Sequence, residues 1–376
     1  MIEKYYSGVI EQIYNRIGKE TRNIVMANYS NDFSIENLEV IRRYQSNEDN
    51  VFFAYSEFSY NTLVGAYEPF LDIICNMHRR FIGGSFDDFQ KECGVYYLHR
   101  QVLNSYYETG ECFREETVLL NEVAYEQRRM TMAIADMLKK LSEVKPLMIV
   151  INRFQMASKS SIETIKYLID NPCANIGIVL GVNAIVKGTD STVEVWDRIV
   201  ESLEDRSAIY YIGSAGPLKN NVKTTNDDEL YITMNFEQSI QEASNIMEFL
   251  DFEQARRGCR IIEHKLKFED AWIDEKSLRR FYMVYARTSV LLGEMSKAIE
   301  LTNEYKALIP ENDSEHYLSL YYFMKGTCYM YQGKLEKAGN SAKSAYDYAV
   351  LAEDDTLIFK AELLSVMIKM SGWYNI

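Results

Sequence analysis

One stretch of the sequence decides the fold class: PLMIVINRFQMASKSSIETIKYLID, residues 146–170. Near its start, Leu147–Ile151 is an uninterrupted run of five apolar residues. Such a run is typical of a central strand that is buried on both faces of a parallel sheet. Apolar residues at helical spacing then predict a helix over Ser160–Ile169. The stretch therefore predicts one strand–helix unit of an α/β domain.

The same alternation of short apolar runs and amphipathic segments continues on both sides. Four further strands are predicted, at Asn23–Asn28, Val51–Tyr55, Ile176–Val182 and Ala208–Ile212. The predicted helices are Ile2–Ile17, a helix from Ser34 onward, Val64–Phe81 and Thr192–Leu203. Residues 86–144 predict a helical insertion that contains one long helix, Glu115–Leu141. Strands that alternate with helices predict a parallel sheet with right-handed crossovers and helices on both faces.

A second, all-helical domain follows an acidic stretch, Lys219–Glu229, and a short apolar run, Leu230–Met234. Here the pattern Leu-Gly, four residues, Ala at residues 292–298 returns forty residues later as Gln-Gly, four residues, Ala. Each copy lies in a pair of amphipathic segments, which predicts repeated helical hairpins. We therefore expect an α/β domain over residues 1–232 and an α-solenoid over residues 236–376.

Composition fits two folded domains and argues against several functions. The chain of 376 residues is 47% hydrophobic and 26% charged, as folded domains are. Its net charge of −14 opposes direct contact with nucleic acid or with an anionic membrane surface. No apolar run approaches the ~20 residues of a membrane span, and the cysteines form no CxxC pair. We expect a cytoplasmic protein that binds no metal.

The residues that follow the strands are informative, because parallel sheets bind ligands at the carboxyl ends of their strands. Gln155, Ala157 and Ser160 follow the central strand, and Tyr60–Phe70 (YNTLVGAYEPF) follows the second strand. In both places the chain resembles signal-transduction ATPases of the STAND class, within the AAA-like superfamily. The resemblance extends over roughly residues 1–215 and implies a P-loop-NTPase-like fold.

The positions that carry chemistry in that family are replaced here. Its metal-binding and water-activating acids would fall at Asn152 and Arg153, which offer a neutral amide and a fixed positive charge. Where the family has its phosphate loop, Tyr29–Ser34 contains no glycine and no lysine. Only Ser34 matches, and a role as helix N-cap explains it equally well. The resemblance therefore implies a degenerate ATPase domain without a cofactor.

Two features keep nucleotide binding open as an alternative. Asn183, just past the fourth strand, matches the polar sensor residue that related ATPases direct at the γ-phosphate. Gly181–Thr192 contains glycines, a lysine and hydroxyls, although Lys187 stands at the wrong spacing for a phosphate loop. Ser191 and Glu194 form a capping box that explains this segment more simply.

Small and aromatic residues recur at matching positions of the two helical hairpins. In the first hairpin they are Tyr282, Ala286, Gly293, Ala298 and Pro310. In the second they are Tyr322, Gly326, Tyr329, Gly333, Ala338 and Ala345. Both hairpins resemble tetratricopeptide repeats, which implies a concave surface that binds a peptide or a partner helix. The 28 tyrosines of the chain suit such a surface, although tyrosines at helical spacing are also typical of a core.

Together these observations predict a non-catalytic regulatory scaffold of a bacterial signalling protein, with an ATPase-like platform and repeats that bind another protein. One alternative is a divergent regulator that still binds ATP and Mg²⁺, with Arg153 contacting phosphate. Another is a sensor that binds a nucleotide without hydrolysing it. No polar capping segment follows the last apolar helix, so we expect further repeats and an output domain, of LuxR type or a diguanylate cyclase, beyond Ile376. Self-association stays open.

Overall fold

The computed structural model describes most of the chain as two compact units. The described residues are 2–29, 38–46, 50–59, 63–112, 122–183, 186–187, 193–213, 223–224, 235–268, 273–312 and 314–373. The described part of the first unit ends at residue 224 and combines strands with helices. Apart from residues 122 and 123, the described part of the second unit begins at residue 235, and its secondary structure is entirely helical. The predicted fold class, an α/β region followed by an all-α region, is confirmed.

A parallel sheet of five strands forms the centre of the first unit. The strands of the unit are β1 (Ile24–Tyr29), β2 (Phe52–Glu57), β3 (Leu147–Asn152), β4 (Ile176–Asn183), β5 (Val186–Lys187), β6 (Ile209–Ile212) and β7 (Lys223–Thr224). The main sheet has the order β2-β3-β4-β1-β6, and β5 pairs with β7 separately. Tyr29 lies opposite Asn183, and Glu57 lies opposite Asn152, so these four strands end at about the same level.

Helices surround this sheet, whose two central strands are completely buried. The helices are α1 (Ile2–Arg16), α2 (Glu39–Ser46), α3 (Phe70–Met77), α4 (Phe86–Glu92), α5 (Tyr97–Thr109), α6 (Val123–Val144), α7 (Lys159–Asp170) and α8 (Val193–Glu204). Helix α1 packs against β4 through the apolar stripe that its sequence predicts. The approach is close at Gly177, where a Cβ would lie 2.8 Å from Ile17 and 2.9 Å from Ile13.

Two predicted helix starts in the first unit are wrong, and a third lies outside the described residues. The helix expected from Val64 begins only at Phe70, because Pro69 precedes it and has no N–H to extend the helix backwards. It then continues as a π-helical turn, His78–Ile82. The expected start of the long helix at Glu115 falls among residues 113–121, which lie outside the described part, so it stays a prediction; the helix is described over Val123–Val144. The helix expected from Ser160 begins one residue earlier, at Lys159.

Seven helices make up the described part of the second unit. They are α9 (Phe236–Glu248), α10 (Phe252–Phe268), α11 (Glu275–Leu291), α12 (Met295–Ala307), α13 (Glu315–Tyr331), α14 (Leu335–Leu351) and α15 (Asp355–Trp373). From α11 onward the helices start twenty residues apart, so one helical hairpin repeats every forty residues. The forty-residue spacing in the sequence therefore corresponds to a structural repeat.

The same turn closes both hairpins. Gly293 follows α11 with φ 78°, and Gly333 follows α13 with φ 72°. The next backbone N–H returns to the last turn of the helix in each case, from Glu294 to Ser289 O at 2.8 Å and from Lys334 to Tyr329 O at 2.9 Å. A glycine in this left-handed conformation is the usual end of a helix, because the conformation is strained for other residues.

Candidate functional site

The candidate site lies at the carboxyl ends of β1, β3 and β4. The chain leaves β1 toward the β2 edge of the sheet, whereas it leaves β4 past β1 toward β6. Connections from two neighbouring strands that run in opposite directions define a topological switch point, where parallel sheets bind ligands. The side chains at this point therefore decide what the first unit can bind.

Protein side chains fill the switch point. The Tyr29 hydroxyl, at the end of β1, donates a hydrogen bond of 2.6 Å to Asn152 Oδ1, at the end of β3. Tyr6 of α1 lies edge-on to Tyr29, with ring centroids 6.5 Å apart. The three residues have no exposed surface. The end of the central strands is thus part of the core.

Gly181 of β4 lies against the same side chains. A Cβ at this position would be 2.8 Å from Asn152 Oδ1 and closer still to the Tyr6 hydroxyl. Only a residue without a side chain leaves room for both groups. We call Tyr6, Tyr29, Asn152 and Gly181 the strand-end cluster.

The strand-end cluster carries no charge. Burial raises the pKa of Tyr6 well above its ordinary value, and the neighbouring Tyr29 phenol raises it further. Tyr6 is therefore a neutral phenol at physiological pH. Two phenols and a carboxamide offer neither the anionic oxygen that Mg²⁺ prefers nor a base that could activate water.

Gln155 and Asn183 extend this neutral, buried region beyond the cluster. The side-chain oxygen of Gln155 accepts a hydrogen bond of 3.2 Å from the backbone N–H of Asn183. Both residues are buried. Gln155 thus connects the turn after β3 to the end of β4, and Asn183, which the sequence suggested as a sensor, takes part in this connection.

Arg153 is oriented toward the end of β2. Its backbone is left-handed, with φ 53°, and its guanidinium contacts Glu57 Oε1 at 3.0 Å. It also donates a hydrogen bond of 3.3 Å to the carbonyl of Phe58. Glu57 in addition accepts a hydrogen bond from the Tyr55 hydroxyl. The charge of Arg153 is therefore balanced by a carboxylate within the protein.

The two segments that carry the family resemblance contact each other through serine hydroxyls. Ser160 accepts a hydrogen bond of 3.0 Å from the N–H of Tyr67, and Ser161 donates one of 2.8 Å to the carbonyl of Glu68. Ser158 is the N-cap of α7, and its side chain accepts a hydrogen bond from the backbone N–H of Ser161. Ser160 therefore holds the loop before α3 in place.

Sequence reasoning found some of these residues and missed others. It singled out Asn152, Arg153 and Asn183, and the structure places all three at one edge of the sheet. Ser34, the fourth predicted position, lies outside the described residues. The sequence did not point to Tyr6 as a site residue, because a tyrosine on the apolar stripe of α1 indicates a core residue. Its hydroxyl was the available signal that this end of the core contains polar groups.

In the second unit, the predicted alanines and Gly326 lie at buried positions, whereas Gly293 and Gly333 are exposed in the turns that close the hairpins. Ala286, Ala298, Ala338 and Ala345 are at most 1% exposed. Gly326 is closely surrounded, since a Cβ there would lie 3.3 Å from Ser341 Cβ and 3.4 Å from the carbonyl of Ala338, both on α14. These residues set how closely the helices approach each other.

The predicted tyrosines are partly buried. Tyr322 stacks on Tyr348 with ring centroids 5.6 Å apart, and Tyr329 packs against a core cluster that includes Met330 and Ala338. Tyr282 is also half-buried, and burial raises its pKa. These rings contribute mainly to packing between helices. This is the core role that the sequence left open beside a role in a contact surface.

An open groove on the second unit is lined by charged residues of both signs. Glu263 on α10 accepts hydrogen bonds of 3.1 Å from Lys267 and from Lys297. Arg260, Tyr285 and Glu294 also line the groove. Burial alone would raise the pKa of Glu263, but the two lysines outweigh it and hold that pKa below its ordinary value of 4.5.

Comparison with models of known protein families and with curated protein sequences yields no match. Within the described residues, no helix has the length and apolarity that crossing a membrane requires. The same residues contain no group of three or more histidines, cysteines or acids arranged to hold a metal ion. The candidate functions therefore rest on the geometry of the strand ends and of the repeats.

We expect Gly181→Ala to lower the free energy of unfolding by about 1–3 kcal/mol, because its methyl group enters space that Tyr6 and Asn152 occupy. Gly8→Ala is the matched control. Gly8 is exposed on α1 with no neighbour near its Cβ position, so alanine there should stabilise by about 0.5–1 kcal/mol. Urea unfolding followed by circular dichroism measures both. Equal effects of the two variants would contradict the packing described for the strand-end cluster.

Glu263→Gln should reduce stability at pH 7, by less than about 1 kcal/mol because the ion pairs are partly exposed. A lowered folded-state pKa stabilises above the unfolded pKa, and this contribution disappears as the pH falls through the folded value. The difference between wild type and variant should therefore shrink as the pH falls from 7 to below 4.5. Urea midpoints at several pH values test this. If the stability difference between wild type and variant does not change with pH, the charge of the Glu263 carboxylate does not stabilise the fold.

Proposed function

We propose that the chain is a non-catalytic regulatory scaffold, in which a degenerate ATPase-like platform is followed by helical repeats that bind another protein. One observation carries the first half of the proposal. The hydrogen bond from Tyr29 to Asn152 fills the switch point of the sheet with buried, neutral groups of the protein itself. A nucleotide at this point would have to displace the rings of Tyr6 and Tyr29 and break the hydrogen bond between Tyr29 and the Asn152 amide.

The neighbouring positions support the same proposal. The resemblance to STAND-class ATPases places acids where this chain has Asn152 and Arg153. Arg153 is paired with Glu57, which lowers its attraction for a phosphate group. The sequence from Tyr29 to Ser34 has none of the glycines or the lysine of a phosphate loop. Each of these differences removes a part of ATP chemistry.

The repeats supply the binding half of the proposal. Hairpins that repeat every forty residues and cross at small residues support the resemblance to tetratricopeptide repeats. Repeats of this kind present a continuous surface to a peptide or a protein helix. The groove lined by Arg260, Glu263 and Lys297 offers alternating charges to such a partner. We place the protein in the cytoplasm, since its cysteines show no disulfide spacing.

A divergent nucleotide site is the competing proposal. Asn183 and Arg153 would be its phosphate contacts, and the protein would then act as an ATP-binding regulator or a nucleotide sensor. It requires the strand-end cluster to open. The two proposals differ in whether ATP or ADP binds at all.

Isothermal titration of the folded chain with ATP and with ADP, each with Mg²⁺, tests the proposal. We expect no binding heat for either nucleotide, because the switch point is occupied by Tyr6 and Tyr29. Binding at low micromolar affinity would contradict the scaffold proposal. ATP turnover that Arg153→Ala abolishes would establish the competing one, and the same variant is expected to leave the titration of the scaffold flat.

A further inference from the structure

His78 lies in a cage of aromatic rings. It begins the π-helical turn that follows α3, and its side chain has no exposed surface. Measured between centroids, the rings of Phe86 and Phe89 on α4 lie 5.0 and 5.2 Å from the imidazole, and the ring of Tyr107 on α5 lies 5.4 Å from it. We call these four residues the His78 cage. The cage joins α4 and α5 to the end of α3.

One nitrogen of the imidazole lacks a hydrogen-bond partner. Nδ1 lies 3.1 Å from the Tyr107 hydroxyl, whereas Nε2 is buried with no partner among the described residues. The neutral imidazole tolerates this arrangement, because it can place its one proton on Nδ1 and leave a lone pair on Nε2. A protonated imidazole has an N–H on both nitrogens. It would therefore bury a charge together with an unsatisfied donor.

The charges around the cage also oppose a proton on His78. From α4 and α5 the imidazole receives two phenylalanine rings and the Tyr107 phenol, so no carboxylate of the described residues pairs with it. The nearby cation is Arg79, whose guanidinium lies 4.3 Å from the centroid of the Tyr107 ring. Asp72, the one carboxylate of α3, instead accepts a hydrogen bond of 2.9 Å from Tyr106. Burial first, and Arg79 second, lower the pKa of His78 from its ordinary value of 6.5.

A second histidine contact, near the other end of α5, responds to a proton in the opposite way. Nε2 of His99 lies 3.0 Å from Oε2 of Glu126 on α6, and both residues are buried. Glu126 also contacts Arg129 at 3.4 Å. A proton on His99 would create an ion pair with the Glu126 carboxylate. Acid therefore weakens the contact of α5 with the end of α3 and preserves its contact with α6.

Two further hydrogen bonds join α5 to α3 and its π-helical turn, and both are exposed. Tyr106 donates one to Asp72, and Arg79 donates one to the carbonyl of Tyr107. Water competes for exposed hydrogen bonds, so they contribute less than the buried cage does. Phe86 stacks on Tyr107 with ring centroids 4.2 Å apart, so α4 is held to α5. Opening of the His78 cage would therefore release both helices from α3.

We propose that His78 is an acid-sensitive switch, which holds α4 and α5 against α3 when it is neutral and releases them when it is protonated. The contact between His99 and Glu126 keeps the first turn of α5 attached to α6, so the helix pair opens at one end. The sheet takes no part in the switch. The main sheet and the strand-end cluster stay intact when the cage opens.

Hydrogen–deuterium exchange of the full chain from about pH 8 to about pH 5, the range in which histidine titrates, tests the proposal. A lowered folded-state pKa means that the closed form loses stability as the pH falls below 6.5. After correction for the intrinsic pH dependence of exchange, protection of residues 86–109 should fall by up to about tenfold per pH unit. Strand β3 should keep its protection. Constant protection of residues 86–109, or an equal loss in β3, would overturn the proposal.

Two variants assign this pH dependence to His78. His78→Phe keeps an aromatic ring in the cage, and His78→Asn keeps an amide that can bond the Tyr107 hydroxyl. Neither side chain titrates in this range, so protection of residues 86–109 should become independent of pH in both variants. His316→Phe is the matched control, because His316 is half-exposed in the second unit, and it should keep the wild-type behaviour. Variants at position 78 that retain the wild-type pH dependence would contradict the assignment.

A titration of the wild-type protein needs no variant. The imidazole signals of His78 in an NMR titration should change over the same pH range in which residues 86–109 lose protection. The midpoint should lie below 6.5, because the cage favours the neutral ring. A midpoint at or above 6.5, or a loss of protection that is complete before His78 takes up its proton, would overturn the proposal.

Discussion

The hydrogen bond between the Tyr29 hydroxyl and Asn152 is the interaction on which the first unit depends. It lies where the ends of three strands meet, in a place without solvent, so each polar group there needs a partner within the protein. Tyr6 completes the arrangement from α1, and Gly181 provides the space that it needs. Because the groups are neutral and buried, they cost little to keep together and would cost more to separate.

This constraint connects the sheet with the function that we propose. A parallel sheet of this topology normally leaves the ends of its central strands open for a ligand. Here the core extends to the strand ends, and the neighbouring serines join the loop before α3 to the start of α7. A platform of this kind can be rigid without binding a nucleotide. Recognition would then fall to the helical repeats, whose small residues fix the helix spacing and whose surfaces carry the charges.

The sequence predicted the fold well where apolar patterns are continuous. The continuous run Leu147–Ile151 and the helically spaced apolar stripe of α1 indicated buried elements, because burial favours apolar residues at those positions. The helix start at Phe70 was missed, because the apolar spacing begins before Pro69 although the helical backbone conformation begins only after it. The candidate site was predicted only at Asn152, Arg153 and Asn183. Tyr6 comes from a helix that is distant in sequence, and its contact with Gly181 follows from the packing of α1 on β4 alone.

The most direct test of the central claim is a crystal structure of the chain grown with Mg²⁺ and ATP. The predicted result is that Tyr29 keeps its hydrogen bond to Asn152, at about 2.6 Å, with Tyr6 packed over Gly181 and no nucleotide at the ends of β1 and β4. A nucleotide bound at this point, with Tyr29 rotated away from Asn152, would contradict the claim that the protein's own side chains close the site.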